Sequence, residues 1–529
     1  MTLASTERAS PIVTRRELSL SPTGLAVGLS FLFVAVALLA RPLLPIDETR
    51  YLTVAWEMWN SGNYLVPHLN GETYAHKPPL LFWLINLAWA VTGPSEIVAR
   101  LVPALSMPVA VFLTSRLGRE LNATRRGAES ALVLASMLVF VALSSMTMFD
   151  GLLTVCVLVG LIGLVRAGRG ERSGFVLLGV AIGLGVLAKG PVIAVHLLPA
   201  ALLAPVWAAR RASWKGWYLG VVCSIAIGTA IGLVWAIPAA IAGGQEFANE
   251  LFLKQSAGRV VDAFAHKKPF WFYIAILPLV LCPFTFSRSA IRSLVSWPSE
   301  SAREWRLLTI SAGCGFIIFS LMSGKQVHYL LPLLPAAALL MQRVRNVPDD
   351  LRWFVLTLAV CLVMIAVVVS LDVFDLPTLH INADGLLVLV GLAAMLMLAR
   401  HDLTLAAAFT AIVFLGLHLH GWRSAFIPYD LGWVGTELRS YHDPDVAFVG
   451  LYHGEIAFLG RLDRPVAQIG SADISSWRTA HPRGIVIAVT DMYHRDLETQ
   501  PDLQRPYRGG MMALWRPLQP EQTNAAPPP

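Results

Sequence analysis

The chain has 529 residues, of which 56% are hydrophobic and only 14% carry a charged side chain, with a formal net charge of +7. A soluble domain carries roughly 25% charged residues, so a chain this long and this apolar cannot clothe itself in a polar surface, and lipid must be its main solvent. The positive balance fits basic cytoplasmic loops and no basic-aromatic patch accompanies it, so nucleic acid is not an expected partner.

The first twenty residues are polar and include Arg8, Arg15 and Arg16. The apolar run 23–40 follows with no small-residue cleavage site before Arg41, which reads as an uncleaved anchor with its N-terminus in the cytoplasm. Further apolar runs of helical length fall near 79–92, 97–116, 127–147, 151–166, 174–189, 191–208, 217–241, 271–286, 307–322, 328–342, 353–371, 384–399 and 403–420. Basic residues gather in alternate connections, at 116–126, 166–172, 210–215, 288–306, 343–352 and at Arg400. They all fall on the N-terminal side only if the short run 79–92, opened by Lys77-Pro78-Pro79, lies at the outer face without crossing. About thirteen spans remain. The expected fold is therefore an all-α polytopic membrane domain over 23–420, behind a cytoplasmic tail 1–22. The tail 421–529 carries strand-like stretches at Val446–Tyr452, Glu455–Leu459 and Gly484–Thr490, and reads as a small α/β domain on the outer side. The loops 41–96 and 242–270 are outer too. Cys156, Cys223, Cys282, Cys314 and Cys361 all lie in apolar runs and read as small hydrophobes.

The outer connections hold the chemistry. Asp47 and Glu48 follow the first span, and Asp150 opens a later one at the same membrane level. Acids at helix starts also suit the helix dipole, so capping is an alternative role for each. Lys77, Lys189, Arg259 and Lys325 are expected at that level. Lys189 interrupts an apolar stretch as Ala188-Lys189-Gly190-Pro191. A midplane charge costs about 2.5–3.5 kcal/mol, less near a span's end, and snorkelling to the interface is its plainer explanation. Carboxylates and cations together at one bilayer face suit a lipid phosphate. The cations stabilise the charge of a departing phosphate, and a carboxylate can act as base on an attacking hydroxyl. A transporter would instead line a midplane path with charge and show paired broken helices. A lipid-binding scaffold would not need Asp47.

Asp47-Glu48-Thr49-Arg50-Tyr51, then Tyr74-Ala75-His76-Lys77-Pro78-Pro79, resemble the bacterial lipid A aminoarabinose transferases, which belong with the protein O-mannosyltransferases to the membrane glycosyltransferases of the GT-C fold. The resemblance continues through Phe149-Asp150, Ala188-Lys189-Gly190-Pro191, the segment from His266 to Tyr273, and Tyr329-Leu330-Leu331-Pro332. It implies a monomeric inverting enzyme of a bacterial inner membrane with a periplasmic site. The implied donor is an undecaprenyl-phosphate sugar, and the acceptor is lipid A or lipopolysaccharide, another envelope glycan, or a protein hydroxyl. Asp47 and Asp150, with Glu48, are the catalytic acids expected. Lys77, Lys189, Arg259, Lys325, Tyr329, Tyr51 and Tyr74 are expected around the carrier phosphate. A divalent cation held by His76 and His266 is a further expectation. His76 stands where the aminoarabinose transferases commonly carry an acid, so a neutral sugar or a uronic acid fits as well as aminoarabinose.

Overall fold

A computed structural model of the chain describes residues 21–208, 213–252, 267–342, 352–357, 402–420, 426–490 and 500–518. The expected spans 353–371 and 384–399 lie almost wholly outside these residues, as do Arg259 and His266.

The first helix, α1 (Pro22–Ala40), starts where Ser21 accepts a hydrogen bond from the Gly24 amide and Pro22 supplies a ready-made helical φ. A short turn leads to α2 (Asp47–Ser61), which closes on Gly62 in the left-handed conformation. A two-stranded ribbon, β1 (His68–Leu69) and β2 (Glu72–Thr73), precedes α3 (Leu80–Thr92). The helix α3 buries Phe82, Ile85 and Trp89 and exposes Leu87 and Val91. Next come α4 (Glu96–Ala104), α5 (Ser106–Glu120), α6 (Thr124–Ala135) and α7 (Leu138–Ser144). The run 127–147, expected as one continuous span, is two helices bent by 69°. Two non-helical residues, Ser136 and Met137, separate them.

Beyond the bend, α8 (Asp150–Gly168) and α9 (Ser173–Lys189) form a tight antiparallel pair. Small residues let the two backbones touch. A Cβ on Gly174 would lie 2.3 Å from the Ala167 nitrogen and 2.5 Å from the Gly163 carbonyl oxygen. Lipid gives helices no hydrophobic reason to associate, so close packing of this kind carries the pairing. Chain reversal at the end of α9 needs Gly190 at φ +79°, and α10 (Ile193–Leu202) follows. The short α11 (Ala204–Trp207) precedes α12 (Trp214–Asn249), which packs along α9 and breaks at Gly244. The helix Arg306–Leu321, the 3-10 turn Val327–Leu333 and the helix Leu334–Met341 complete the core, with Leu403–His420 packed on α1.

Among the described residues six helices are long and apolar enough to cross a membrane, or seven if the bent pair is one span. The protein is thus a mostly helical, multi-pass membrane protein. Among the described residues, three of the basic connections, those at 116–126, 166–172 and 288–306, meet at one end. There Glu120 takes Arg166 at 2.6 Å and Arg169 at 3.4 Å, and Arg169 reaches Glu304 at 3.5 Å.

Residues 446–515 hold a five-stranded mixed sheet in the order β4-β3-β5-β7-β6. Its strands are β3 (Val446–Val449), β4 (Ala467–Ile469), β5 (Ile485–Thr490), β6 (Leu503–Tyr507) and β7 (Gly510–Trp515). β3 runs parallel to β4 and β5, and β7 runs antiparallel to β5 and β6. Alternation sorts the side chains. Ala447, Val486, Ala488, Ala513 and Trp515 face the helix Ile474–Ala480, whereas Phe448, Ile485, Ile487, Met512 and Leu514 share a core with α2 and α3. The stretch Glu455–Leu459, expected as strand-like, is a single helical turn instead (Ala457–Gly460). Gly454 at φ +88° and Arg461 in the left-handed region reverse the chain on either side, leaving no room for a strand.

The sheet unit grips α2. Thr53 Oγ1 donates to the Gly454 carbonyl at 2.9 Å, Trp56 Nε1 donates to Leu462 O at 2.9 Å, and the Trp89 ring stacks on Phe458 at 5.5 Å. Substituting Gly174→Val drives a branched side chain into the α8 backbone. It should destabilise the protein by about 1–3 kcal/mol or more, read as a lower thermal unfolding midpoint in detergent; an unchanged midpoint would contradict the close α8–α9 packing.

Candidate active site

Four units meet at the end of the bundle opposite the Glu120–Arg166 network, and the first two are the α8–α9 hairpin and the 3-10 turn Val327–Leu333. Asp150 opens α8 and Lys189 closes α9. Because the two helices are antiparallel, these ends meet, and Lys189 Nζ forms an ion pair with Asp150 Oδ1. Each sits at the helix end that favours its charge. Asp150 is 3% exposed, so this pairing is what makes its burial tolerable. His328, at the start of the 3-10 turn, brings Nε2 to 3.9 Å from Asp150 Oδ2. The next residue, Tyr329, lies under Lys189 with its ring centroid 4.7 Å from Nζ.

The third unit carries Tyr74, His76 and Lys77. Lys77 Nζ stands 5.9 Å above the Phe149 ring, and its charge reaches Asp150. Tyr74 is buried, with its ring 5.2 Å from His76 and 6.5 Å from Phe82. The fourth unit is the first turn of α2. Asp47 is about half exposed, pairs with Arg50 at 3.7 Å, and accepts a long hydrogen bond from Tyr51 at 3.5 Å. Tyr51 packs edge-on against Phe149 at 4.8 Å. Burial, and after it the charge of Asp47, push the Tyr51 phenol well above its ordinary value, so it remains a hydrogen-bond donor. The charges of Asp150, Lys189, Lys77 and Asp47 all reach His328. Asp47, Tyr51, Tyr74, Lys77, Asp150, Lys189 and Tyr329 therefore form one cluster.

Two predicted residues stand apart from it. Glu48 is 1% exposed. Its carboxylate accepts from both terminal nitrogens of Arg41, from the Leu44 amide at 2.8 Å and from the Thr147 amide at 2.6 Å. Burial by itself would raise its pKa; the adjoining Arg41 charge and hydrogen bonds, Arg100 and the Thr147 amide outweigh it and hold the carboxyl below its usual range. Glu48 is thus a brace between the turn 41–48 and the segment before Asp150, and its neighbour Asp47 alone faces the cluster. Lys325 spends its ammonium on the carbonyls of Lys268, at 3.0 Å, and Met322. It ties the loop after residue 267 to the turn before His328.

His328 was not among the residues singled out from sequence. Its signal was an ionisable side chain opening an apolar run, the same signal that marked Lys189. Among the described residues no three His, Cys, Asp or Glu side chains group as a metal site. His76 by itself does not supply one.

The fold and the cluster together define a multi-pass membrane protein built like the GT-C glycosyltransferases. Residues 76–235 match the family described as dolichyl-phosphate-mannose-protein mannosyltransferase. The chain is 28% identical over 325 residues to the undecaprenyl phosphate-alpha-4-amino-4-deoxy-L-arabinose arabinosyl transferase of Edwardsiella ictaluri; the match covers 59% of this chain and 57% of that one. It is 30% identical over 322 residues to transferase 1 of the same name from Pseudomonas fluorescens, covering 59% and 55%. The chain thus spans somewhat more than half the length of these relatives. The crystal structure of ArnT from Cupriavidus metallidurans bound to undecaprenyl phosphate superposes with a TM-score of 0.71 over 93% of this chain and 97% of that chain, at 18% identity. The resemblance read from the motifs holds, and the fold is that of ArnT.

Replacing Glu48→Gln leaves Arg41 buried without its counter-charge and should cost about 3–5 kcal/mol of stability. Because the folded carboxyl titrates below its reference value of 4.5, the wild-type advantage is complete above that pH and disappears as pH falls through the lower folded value. Thermal unfolding of both proteins across the acid range checks this; a constant gap down to the acid limit would contradict it.

Proposed function

We propose that the chain is a glycosyltransferase that moves a sugar from a polyprenyl-phosphate carrier to an acceptor at the outer face of a bacterial inner membrane. The observation that carries this is the meeting of Asp47, Lys77, Asp150 and Lys189 at one end of an apolar bundle. The relatives named above, as undecaprenyl-phosphate aminoarabinose transferases, supply the donor class.

In this reading the bond from the anomeric carbon to the phosphate oxygen breaks, and the phosphate leaves with the electron pair. Lys77, beside Phe149, meets the growing phosphate charge. Lys189 is already committed to Asp150. That pair fixes the site's floor and, with His328 and Tyr329, orients the sugar and phosphate. Asp47, the exposed acid, takes the proton of an attacking hydroxyl on the opposite face of the sugar, and the anomeric centre inverts. An acceptor that is itself an ionised phosphate needs no base, and Asp47 then orients it. The acceptor is lipid A or lipopolysaccharide in the first instance, with a protein hydroxyl, as in the mannosyltransferases, as the second. The donor sugar is aminoarabinose or a related pentose or hexose. About thirteen spans, with Asp47 and the sheet unit on the periplasmic side, complete the proposal. A lipid-linked-sugar flippase is the remaining reading.

Asp47→Asn should lower transfer by about 10²–10⁴-fold while leaving the unfolding midpoint near wild type, measured in membranes with labelled sugar on undecaprenyl phosphate. Near-normal turnover would remove Asp47 from the chemistry, and transport without transfer would favour the flippase. Lys77→Ala should weaken binding of undecaprenyl phosphate by about tenfold or more, read by lipid titration; unchanged affinity would place the carrier phosphate elsewhere. Asn60→Cys, on the exposed end of α2, should react with an impermeant thiol reagent in cells whose inner membrane is intact. Labelling only after that membrane is permeabilised would invert the topology.

A further inference from the structure

A cavity of about 650 Å³ lies between the C-terminal end of α1, the N-terminal end of α4 and the sheet unit. None of the clustered residues Asp47, Lys77, Asp150 or Lys189 lines it. Its composition is graded. Leu39 and Ile97, 79% and 53% exposed, stand at its mouth where α1 leaves the apolar layer. Arg41, Arg100 and Arg461 line it further in.

Two of these guanidinium groups are neutralised inside the fold. Arg41 is paired with Glu48, and Arg100 is paired with Glu96 at 3.0 Å while donating to the carbonyls of Ala37 and Arg41. Arg461 differs. One terminal nitrogen donates to Pro94 O at 3.3 Å, and the guanidinium rests on the rings of Phe458, at 4.1 Å, and Trp56, at 4.9 Å. Its Nη1 is buried with no hydrogen-bond partner; among the described residues no carboxylate lies within ion-pair distance of Arg461, although the charge of Glu96, which also lines the cavity, acts on it. Of the two acids lining the cavity, Glu96 is paired with Arg100, and Asp430 turns one carboxylate oxygen to the Gly432 amide at 2.8 Å. A buried, unsatisfied donor on a fixed cation costs stability unless something accepts from it. An apolar mouth at the end of an apolar helix, next to a guanidinium with an unused donor, is an arrangement that suits an anionic group on a lipid.

We propose that this cavity is a site for the phosphate of an anionic lipid, held by Arg461 with its acyl chains along Leu39 and Ile97, separate from the site at Asp150. The occupant seals the contact between the membrane helices and the sheet unit, because Arg461 belongs to the sheet unit and Leu39 and Ile97 to the helices. The site depends on α1 crossing the bilayer and does not depend on the transferase reading.

The test uses the full chain in nanodiscs of zwitterionic phosphatidylcholine. Wild type, Arg461→Gln and Ile97→Trp are titrated with short-chain phosphatidylglycerol, lipid A, phosphatidylethanolamine and inorganic phosphate, and bound lipid is counted by native mass spectrometry. Wild type should bind phosphatidylglycerol or lipid A saturably, and Arg461→Gln should weaken that by about tenfold. Ile97→Trp fills the mouth without touching a charge and should weaken it too, which keeps the test decisive if Arg461→Gln fails to fold. Preference for lipid A over phosphatidylglycerol would mark the occupant as a phosphorylated glycolipid; the reverse would mark it as a bulk membrane lipid. Equal binding by Arg461→Gln and wild type, equal binding of phosphatidylethanolamine, or competition by inorganic phosphate at the lipid's own affinity would each overturn the proposal. Undecaprenyl phosphate binding and sugar transfer, measured alongside, report on the other site and can fail or persist independently.

Discussion

Burying a carboxylate among apolar helices is tolerable only beside a cation, and the Asp150–Lys189 pair is where this protein meets that requirement. The pair exists because α8 and α9 are antiparallel and joined by a short turn at the far end, so the first residue of one stands beside the last residue of the other. Small residues at Gly163 and Gly174 hold the two helices close enough for the ends to match. Each charge sits at the helix terminus whose dipole favours it. Around this fixed point His328 and Tyr329 arrive from the 3-10 turn, and Lys77 arrives over Phe149, the residue before Asp150.

A second buried pair, Arg41–Glu48, governs the other half of the site. It staples the turn after α1 to the backbone before Asp150 through Thr147 and Ser145. The first turn of α2 is therefore held against the start of α8, and Asp47 is presented beside Tyr51. The sheet unit adds a third hold. It takes α2 by Thr53 and Trp56 and closes over α3 by the Trp89–Phe458 stack. Asp47 thus belongs to a helix clamped on two sides, which is the stiffness that a positioned acid requires.

Much of this was legible in the residues. Charges that interrupt apolar runs are costly, so Asp150 and Lys189 stood out, and their shared end followed from counting helices between basic loops. Adjacent acids were harder. Asp47 and Glu48 are neighbours in sequence, yet successive helix positions diverge by about 100°. One therefore faces the site and the other a buried arginine, and nothing local says which. Lys325 and His328, three residues apart, carry the same signal in sequence, an ionisable side chain beside an apolar run; only the fold shows that Lys325 is spent on carbonyls and that His328 reaches Asp150. The strand expected at Glu455–Leu459 failed because apolar residues in a short run do not distinguish one helical turn from a strand. The bend between α6 and α7 carries no proline, and hydropathy alone could not reveal it.

The account turns on cleavage between the sugar and the carrier phosphate. A donor labelled with ³H in the sugar and ³²P in the polyprenyl phosphate, incubated with membranes holding the protein, separates the outcomes directly. The account predicts that ³H passes to the acceptor fraction while an equal amount of ³²P remains on the polyprenyl phosphate. Passage of both labels together would mean that a phosphosugar moves. Retention of both on the carrier, with folded protein and acceptor present, would mean that this cluster does not perform the transfer.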